Sequence, residues 1–518
     1  MAKVNLDALI PREDFEVTDV EEPDRGGKTA TIQIRDLEKA SFFFNIIRKP
    51  DFQRETNEWE PKRVFALIES FVDGDLIPAI ILWRNVGSYT FVLDGSHRLS
   101  ALASWVNDDY GDKEISKKFY DGMIPEDQIR IAEETRTLIR KRIGPYSDYK
   151  LALEHPEKVQ EQISKRAKNL GTLALQLQWV EGDADKAEAS FFKINQSAAT
   201  INNTEIYLLQ KRKKPSGLTA RAIVRSGTGH KYWSKFNDEI RAEVEEIAKE
   251  INDVLFVPPL KNPIKTLDLP IGGKIFSTYT LSLILDFVNI ANNVEREDES
   301  LLEDIDGNHT IEFLKDCRKI ARRINSNHPS SLGLHPAVYF YSRDGRYKTA
   351  SFYAIVSLMM EFEKPELIND FISIREKFEE FLIEYDFFIQ QIVRKYRSAY
   401  GSRKFVKDFY LELIKKFKEG KSKDVIVKEI TDDHSKFKYL TTQLDKKETS
   451  GSEFTREIKS EVFLTEALKS ALKCKICNGY IHSHSIQIDH KQRKSEGGLG
   501  NLENAQLSHP YCNTTYKH

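Results

Sequence analysis

Residues 474–518 read CKICNGYIHSHSIQIDHKQRKSEGGLGNLENAQLSHPYCNTTYKH, and three of the chain's four cysteines lie in them. Cys474-x-x-Cys477 and His509-x-x-Cys512 each set two donors on a tight turn, the arrangement that tetrahedral zinc takes. A segment this small has little core of its own, so a bound ion would supply folding energy directly. An incidental cysteine pair is the plainer alternative. Between the two pairs, Ile488-Asp489-His490 puts a carboxylate beside an imidazole at the end of an apolar strand. A Gly497-Gly498 loop follows, then Asn504, then Asn513 directly after Cys512. His482 and His484 fall on no motif position and are expected at the surface.

Outward from this stretch, a short helix is expected over Glu457–Leu472, so that 457–518 reads as one small domain. Residues 440–456 are polar and turn-rich, a linker. Residues 216–439 read as helical, with amphipathic segments at Asp238–Leu255, Ile311–Ile324, Ala350–Glu363, Pro365–Tyr385 and Phe405–Lys418. Within them, Arg394 to Lys404 interleaves basic and aromatic residues as a backbone-tracking surface would, although a solvated helix end is the plainer reading. Residues 31–215 mix α and β, and residues 1–30 are acidic and dotted with Pro and Gly, as in a flexible arm. The expected class is α+β: an α/β N-terminal domain, a helical middle and a small zinc-bound tail of ββα type.

Charge and hydropathy bound the function. There are 78 Lys+Arg against 80 Asp+Glu, a net charge of −2, so any nucleic-acid contact must rest on local patches. No apolar run approaches the roughly 20 residues that span a bilayer, and the first residues have no signal-type apolar core. A cytoplasmic chain without a membrane partner is expected. Clustered Cys and His in such a chain point to metal rather than disulfides.

A second pattern occupies the N-terminal region. Ile77 to Trp83 and Ser88 to Leu93 read as two buried strands joined through Asn85 to Gly87. Asp94-Gly95-Ser96-His97-Arg98 sits where the second strand would end and a helix begin. Free amides and the positive end of a helix make an anion site at such a turn, Gly95 admits a phosphate closely, and Arg98 adds a bidentate fork. Asp94 would ligate Mg²⁺ or act as a base; the alternative is an ordinary helix cap. Gln53 and Arg54 could reach the same pocket, and Asn195 is either a contact from the far side or a turn cap.

The order and spacing of the tail closely resemble the HNH endonuclease family, with His509 in place of the family's third cysteine. The resemblance implies that His490 is the general base that activates water against a phosphodiester. It also implies that Asp489 and Asn513 hold one hard cation, Mg²⁺ or Mn²⁺, and that Asn504 braces the loop and orients the histidine. Oxygen donors do suit such a cation, and sulfur donors suit Zn²⁺. Lys491, Arg493 and Lys494 would then hold DNA phosphates, or are solvated loop charges. His518 is a phosphate contact or nothing.

The stretches PDFQRETNEW, FVLDGSHRLSAL and FFKINQSAATINNTEIYLL resemble the ParB-like domain of the GmrSD and SspE group of DNA-defence proteins. Ser96-His97 stands where that group usually has Gln-Gln, closer to the wider ParB and sulfiredoxin pattern. The resemblance implies NTP binding or hydrolysis and sensing of modified or foreign DNA. Together the two resemblances lead us to expect an NTP-regulated endonuclease of restriction or phage defence. Its partners would be double-stranded phage or modified DNA, a nucleoside triphosphate, and a second copy or other defence proteins. A nucleotide-switched DNA-binding protein with a non-cleaving zinc tail, or an RNA-directed nuclease, would satisfy the same resemblance.

Overall fold

The computed structural model describes the chain except residues 1–2, 14–26, 51–52, 54–58, 86–88, 120–123, 125, 199–206, 208–209, 228–232, 234–235, 276–279, 297, 299, 444–453 and 518, together with some helix side chains, Asn195 among them. It falls into two compact units, Met1–Gln210 and Lys211–His518.

The first unit is built on a six-stranded mixed sheet among the described residues. Its strands are β1 (Arg12–Glu13), β2 (Thr31–Gln33), β3 (Ile47–Pro50), β4 (Ile80–Arg84), β5 (Thr90–Asp94) and β6 (Ala174–Trp179). Their order is β1-β3-β5-β4-β6-β2. Central β4 and β5 are antiparallel, and each has a parallel neighbour on its other side, β6 and β3. Alternation along β5 explains its unbroken apolar run, because successive side chains serve opposite faces of the sheet. Val92 joins a large core with Ile80, Leu82 and the Val64, Ile68, Phe71 stripe of helix Pro61–Asp73. Phe91 and Leu93 join Trp83, Ala187 and Phe191, so helix Ala184–Ala198 covers the other face.

The arm expected over 1–30 is ordered where it is described outside 14–26. Val4, Leu6, Leu9 and Ile10 are buried in the large core, and β1 pairs with β3. Asp7 lies buried between Arg12 and Lys49, at 2.9 and 2.6 Å. Acidic composition suggested solvent, but this carboxylate is neutralised by two cations brought in from β1 and β3.

The second unit is helical, as its periodicity predicts. Its helices include Asp238–Phe256, Asn308–Ile324, Thr349–Glu361, Pro365–Glu384 and Ala399–Lys418. Asn237 and Ser398 cap two of them by accepting from Ile240 N and Gly401 N. A helix Arg456–Lys469 leads to the tail, whose two strands, β7 (Gln487–His490) and β8 (Ala505–Ser508), form an antiparallel ribbon. Two strands of four residues are too short to be stable alone. The tail is seated instead on the loop 326–335 and on helix Pro365–Glu384. Among the described residues no helix is long and apolar enough to cross a membrane.

Candidate active site

Two turns bring together four side chains that could ligate a metal. Cys474 N–H donates to Gly479 O and Asn478 N–H to Cys474 O, which curls 474–479 into a knuckle with Asn478 in the left-handed region. Lys475 N–H donates to Leu507 O, tying the knuckle to β8 and thereby to His509 just beyond it. The result is four buried residues, Cys474, Cys477, His509 and Cys512, whose donor atoms all lie within 4.8 Å of one another. His509 Nε2 is engaged by Tyr480 O at 3.0 Å, which turns Nδ1 toward the thiols, 3.4 Å from Cys477 Sγ. Three soft donors and one imidazole fit zinc. Within the knuckle, Ile476 N–H donates to Cys474 Sγ at 3.4 Å.

The Asp489-His490 pair stands at the end of β7, opposite Gln506 and Ala505. Asp489 is buried, and its Oδ2 accepts from Gln506 Nε2 at 2.7 Å and from Lys517 Nζ at 2.8 Å. Lys517 also donates to His490 O. His490 is half-buried, and Ile488, its neighbour but one, is exposed. Asn513 Nδ2 donates to Gln487 Oε1 at 3.0 Å. Gln487 and Asp489 share one face of β7, and Asn513 and Lys517 are four residues apart on the closing turn. The register therefore sets Asn513 on Gln487 and Lys517 on Asp489. Asp489 and Asn513 come from neighbouring rungs, without a direct hydrogen bond between them. Gln487, Gln506 and Lys517 were missed in the sequence; the spacings of two on a strand and four on a helical turn were the signal available.

Asn504 braces the loop after His490. Its Oδ1 accepts from Gln492 N, and its Nδ2 donates to Gln492 O and Leu499 O, at 2.7, 3.1 and 2.8 Å. Lys491 N–H donates to Asn504 O. Gly498 belongs here for a steric reason, since a Cβ on it would stand 2.0 Å from Gln492 O. Lys491 donates to Glu503 O and Arg493 to Lys517 O of the closing turn, while Lys494 is exposed. His518 lies outside the described residues.

Beneath the metal-ligating set lies a buried charged network from the helical part. Arg375, fully buried, donates to Glu379 Oε1 at 2.7 Å, Leu332 O at 2.5 Å and Gly333 O at 3.0 Å, and its Nη1 is 3.2 Å from His509 Nδ1. Glu379 also accepts from Tyr339 OH and from Tyr480 N, at 2.9 and 2.7 Å. Each polar group of this pair is therefore answered, which a buried pair requires. Contact is close enough that a Cβ on Gly479 would meet Arg375 Nε at 2.3 Å, and one on Gly333 would meet His509 Cδ2 at 2.6 Å.

One expectation is corrected here: His482 is buried, not at the surface. Its Nδ1 faces Asn325 Nδ2 at 2.9 Å, and its Nε2 lies 3.2 Å from Asp268. Burial pushes its pKa down to about 4. The tail docks through this residue, which a motif comparison confined to the tail does not reveal. His484 is half-exposed, 3.8 Å from the same carboxylate.

In the first unit the Asp94–Arg98 turn has the expected form. Gly95 links β5 to helix Ser96–Val106 at φ +96°, and a Cβ there would meet Ile80 Cδ1 at 2.5 Å. Asp94 does not cap the helix; its Oδ2 accepts from Arg98 Nη2 at 2.7 Å, and the same nitrogen donates to Ala79 O at 3.1 Å. Gln53 is buried, with Nε2 3.5 Å from Leu93 O. Ser96 is buried, and the His97 ring stacks on Trp59 at 5.6 Å. Arg54 lies outside the described residues, and Asn195 falls in helix Ala184–Ala198 with its side chain outside them.

Residues 34–211 match the family model described as the GmrSD restriction endonuclease N-terminal domain, and residues 474–518 match the one described as HNH endonuclease. Neither a curated protein nor a solved structure matches the chain. A GmrSD restriction endonuclease N-terminal domain and a C-terminal HNH endonuclease domain are thus joined in this one chain.

Proposed function

We propose that the protein is a metal-dependent DNA endonuclease of restriction or phage defence, gated by a nucleoside triphosphate at the Asp94–Arg98 turn. The observation that carries the nuclease reading is the Asp489-His490 pair at the end of β7, held beside a buried Cys₃His set and a loop that Asn504 cross-braces. A zinc knuckle that only docks on DNA needs neither Asp489 nor His490. His490 takes the proton from the attacking water, a task suited to an imidazole at cellular pH. Asp489 and Asn513 would hold a divalent cation, and Asp489 already attracts a cation, the Lys517 ammonium. Such an ion would stabilise charge developing on the phosphate and the leaving oxygen. Asn504 keeps the following loop, and with it His490, in place.

The gating reading rests on the Asp94–Arg98 turn. Its arginine is already directed at the turn's own carboxylate, so a phosphate chain that draws Arg98 away changes the local ion pairing. The test is incubation of the full-length protein with modified and unmodified phage DNA, Mg²⁺ and each NTP. Cleavage that depends on Mg²⁺, NTP and His490 is expected. Absence of cleavage under every combination would defeat the nuclease reading, and NTP-independent cleavage would defeat the gate alone.

A further inference from the structure

Lys517 is the feature of the tail that the proposed chemistry leaves unused. It lies four residues beyond Asn513, and the closing turn carries it back over β7, where its ammonium reaches Asp489 Oδ2 at 2.8 Å and the carbonyl of His490. Arg493 donates to the Lys517 carbonyl, so the backbone at this point is anchored as well. Asp489 is nearly inaccessible and Lys517 only 18 % exposed, so water screens the pair weakly. The carboxylate proposed to hold the divalent cation is therefore neutralised by a cation of the chain itself.

We propose that Lys517 is an intrinsic occupant of the cation seat: it competes with the divalent ion for Asp489 and sets the metal concentration at which the nuclease turns on. The inference rests on the reading of Asp489 as a cation ligand. A divalent ion in contact with Asp489 and an ammonium 2.8 Å from its Oδ2 are like charges crowded at one anion, so binding of the first displaces the second. In the metal-poor state the ammonium spares the protein an unpaired buried carboxylate. Once displaced, it is left beside the base with its charge unspent, where a DNA phosphate would meet it.

The test is Mn²⁺ binding by the full-length protein, read from the electron paramagnetic resonance of free Mn²⁺ and independent of cleavage. Lys517→Met should bind Mn²⁺ roughly tenfold more tightly than wild type, the worth of one charge-assisted hydrogen bond. Lys517→Arg, which keeps the charge, should show no such gain. Zinc content and thermal unfolding of each variant establish that the tail is folded. Equal Mn²⁺ affinity in wild type and Lys517→Met, with binding lost in Asp489→Asn, overturns the competition while leaving Asp489 as the ligand. Undiminished binding in Asp489→Asn overturns that assignment, and the competition with it.

Discussion

Replacing Arg375 by Met should loosen the metal-ligating set without replacing any of its four residues. The side chain of Met approximates the apolar stem of Arg, so the loss is confined to the guanidinium. That group answers the carbonyls of Leu332 and Gly333 and one oxygen of Glu379, all deep in the unit. Its removal leaves the Glu379 carboxylate buried with only Tyr339 OH and the Tyr480 amide as donors. Breaking one half of a buried pair costs about 3–5 kcal/mol. If that cost falls on the docked tail, zinc affinity drops by about two to three and a half powers of ten, at 1.4 kcal/mol for each. Competition with a chromogenic chelator measures the affinity, and urea unfolding measures the stability. The double variant Arg375→Met, Glu379→Gln should recover part of the loss, because no charge is then stranded. Zinc affinity within threefold of wild type, with an unchanged urea midpoint, would refute the view that the helical part supports the metal-ligating set.

Four further outcomes are expected. His490→Ala should abolish nicking in Mg²⁺ with zinc content and unfolding unchanged; wild-type cleavage by the variant contradicts its role as base. Cys474→Ser should lower zinc by about one ion per chain and expose the tail to protease, since four donors leave no spare. Asn504→Ala should slow cleavage while zinc stays bound, because the 491–499 loop loses its cross-brace; equal rates would reduce Asn504 to a surface residue. For Asp7, burial alone would raise the pKa, but Arg12 and Lys49 outweigh it and hold the carboxyl well below the usual range. Its stabilisation is therefore full above the unfolded value of about 4 and is lost as pH falls below it. Asp7→Asn should destabilise the first unit at neutral pH and flatten its acid sensitivity, which thermal unfolding across pH 2–7 records.

Local spacing made the Cys₃His cluster legible, because a Cys-x-x-Cys and a His-x-x-Cys are each formed by one turn. The β4–β5 pair was legible for a similar reason: a bounded apolar run has few other uses. What the sequence concealed is what depends on distant partners. Lys517 is an ordinary lysine until the register of β7 places Asp489 under it. His482 reads as solvated until Asn325 and Asp268, more than 150 residues away, enclose it. Arg375 lies in an amphipathic helix where an arginine suggests the wet face, and only the packing of the tail shows it buried. The acidic first residues were misleading because composition counts Asp7 as solvent-loving, whereas two cations far apart in sequence make it a core residue.

The closeness of Gly333 to His509 and of Gly479 to Arg375 limits how far the tail can be moved as a unit. A graft of residues 474–518 onto another host would carry the donors but leave behind the guanidinium, its glutamate and the glycine that makes room for His509. The recipient would need a side-chain-free position at the same height and a buried positive charge behind it. A transplant that keeps the cluster intact should therefore include helix Pro365–Glu384 and the loop 326–335 along with the tail.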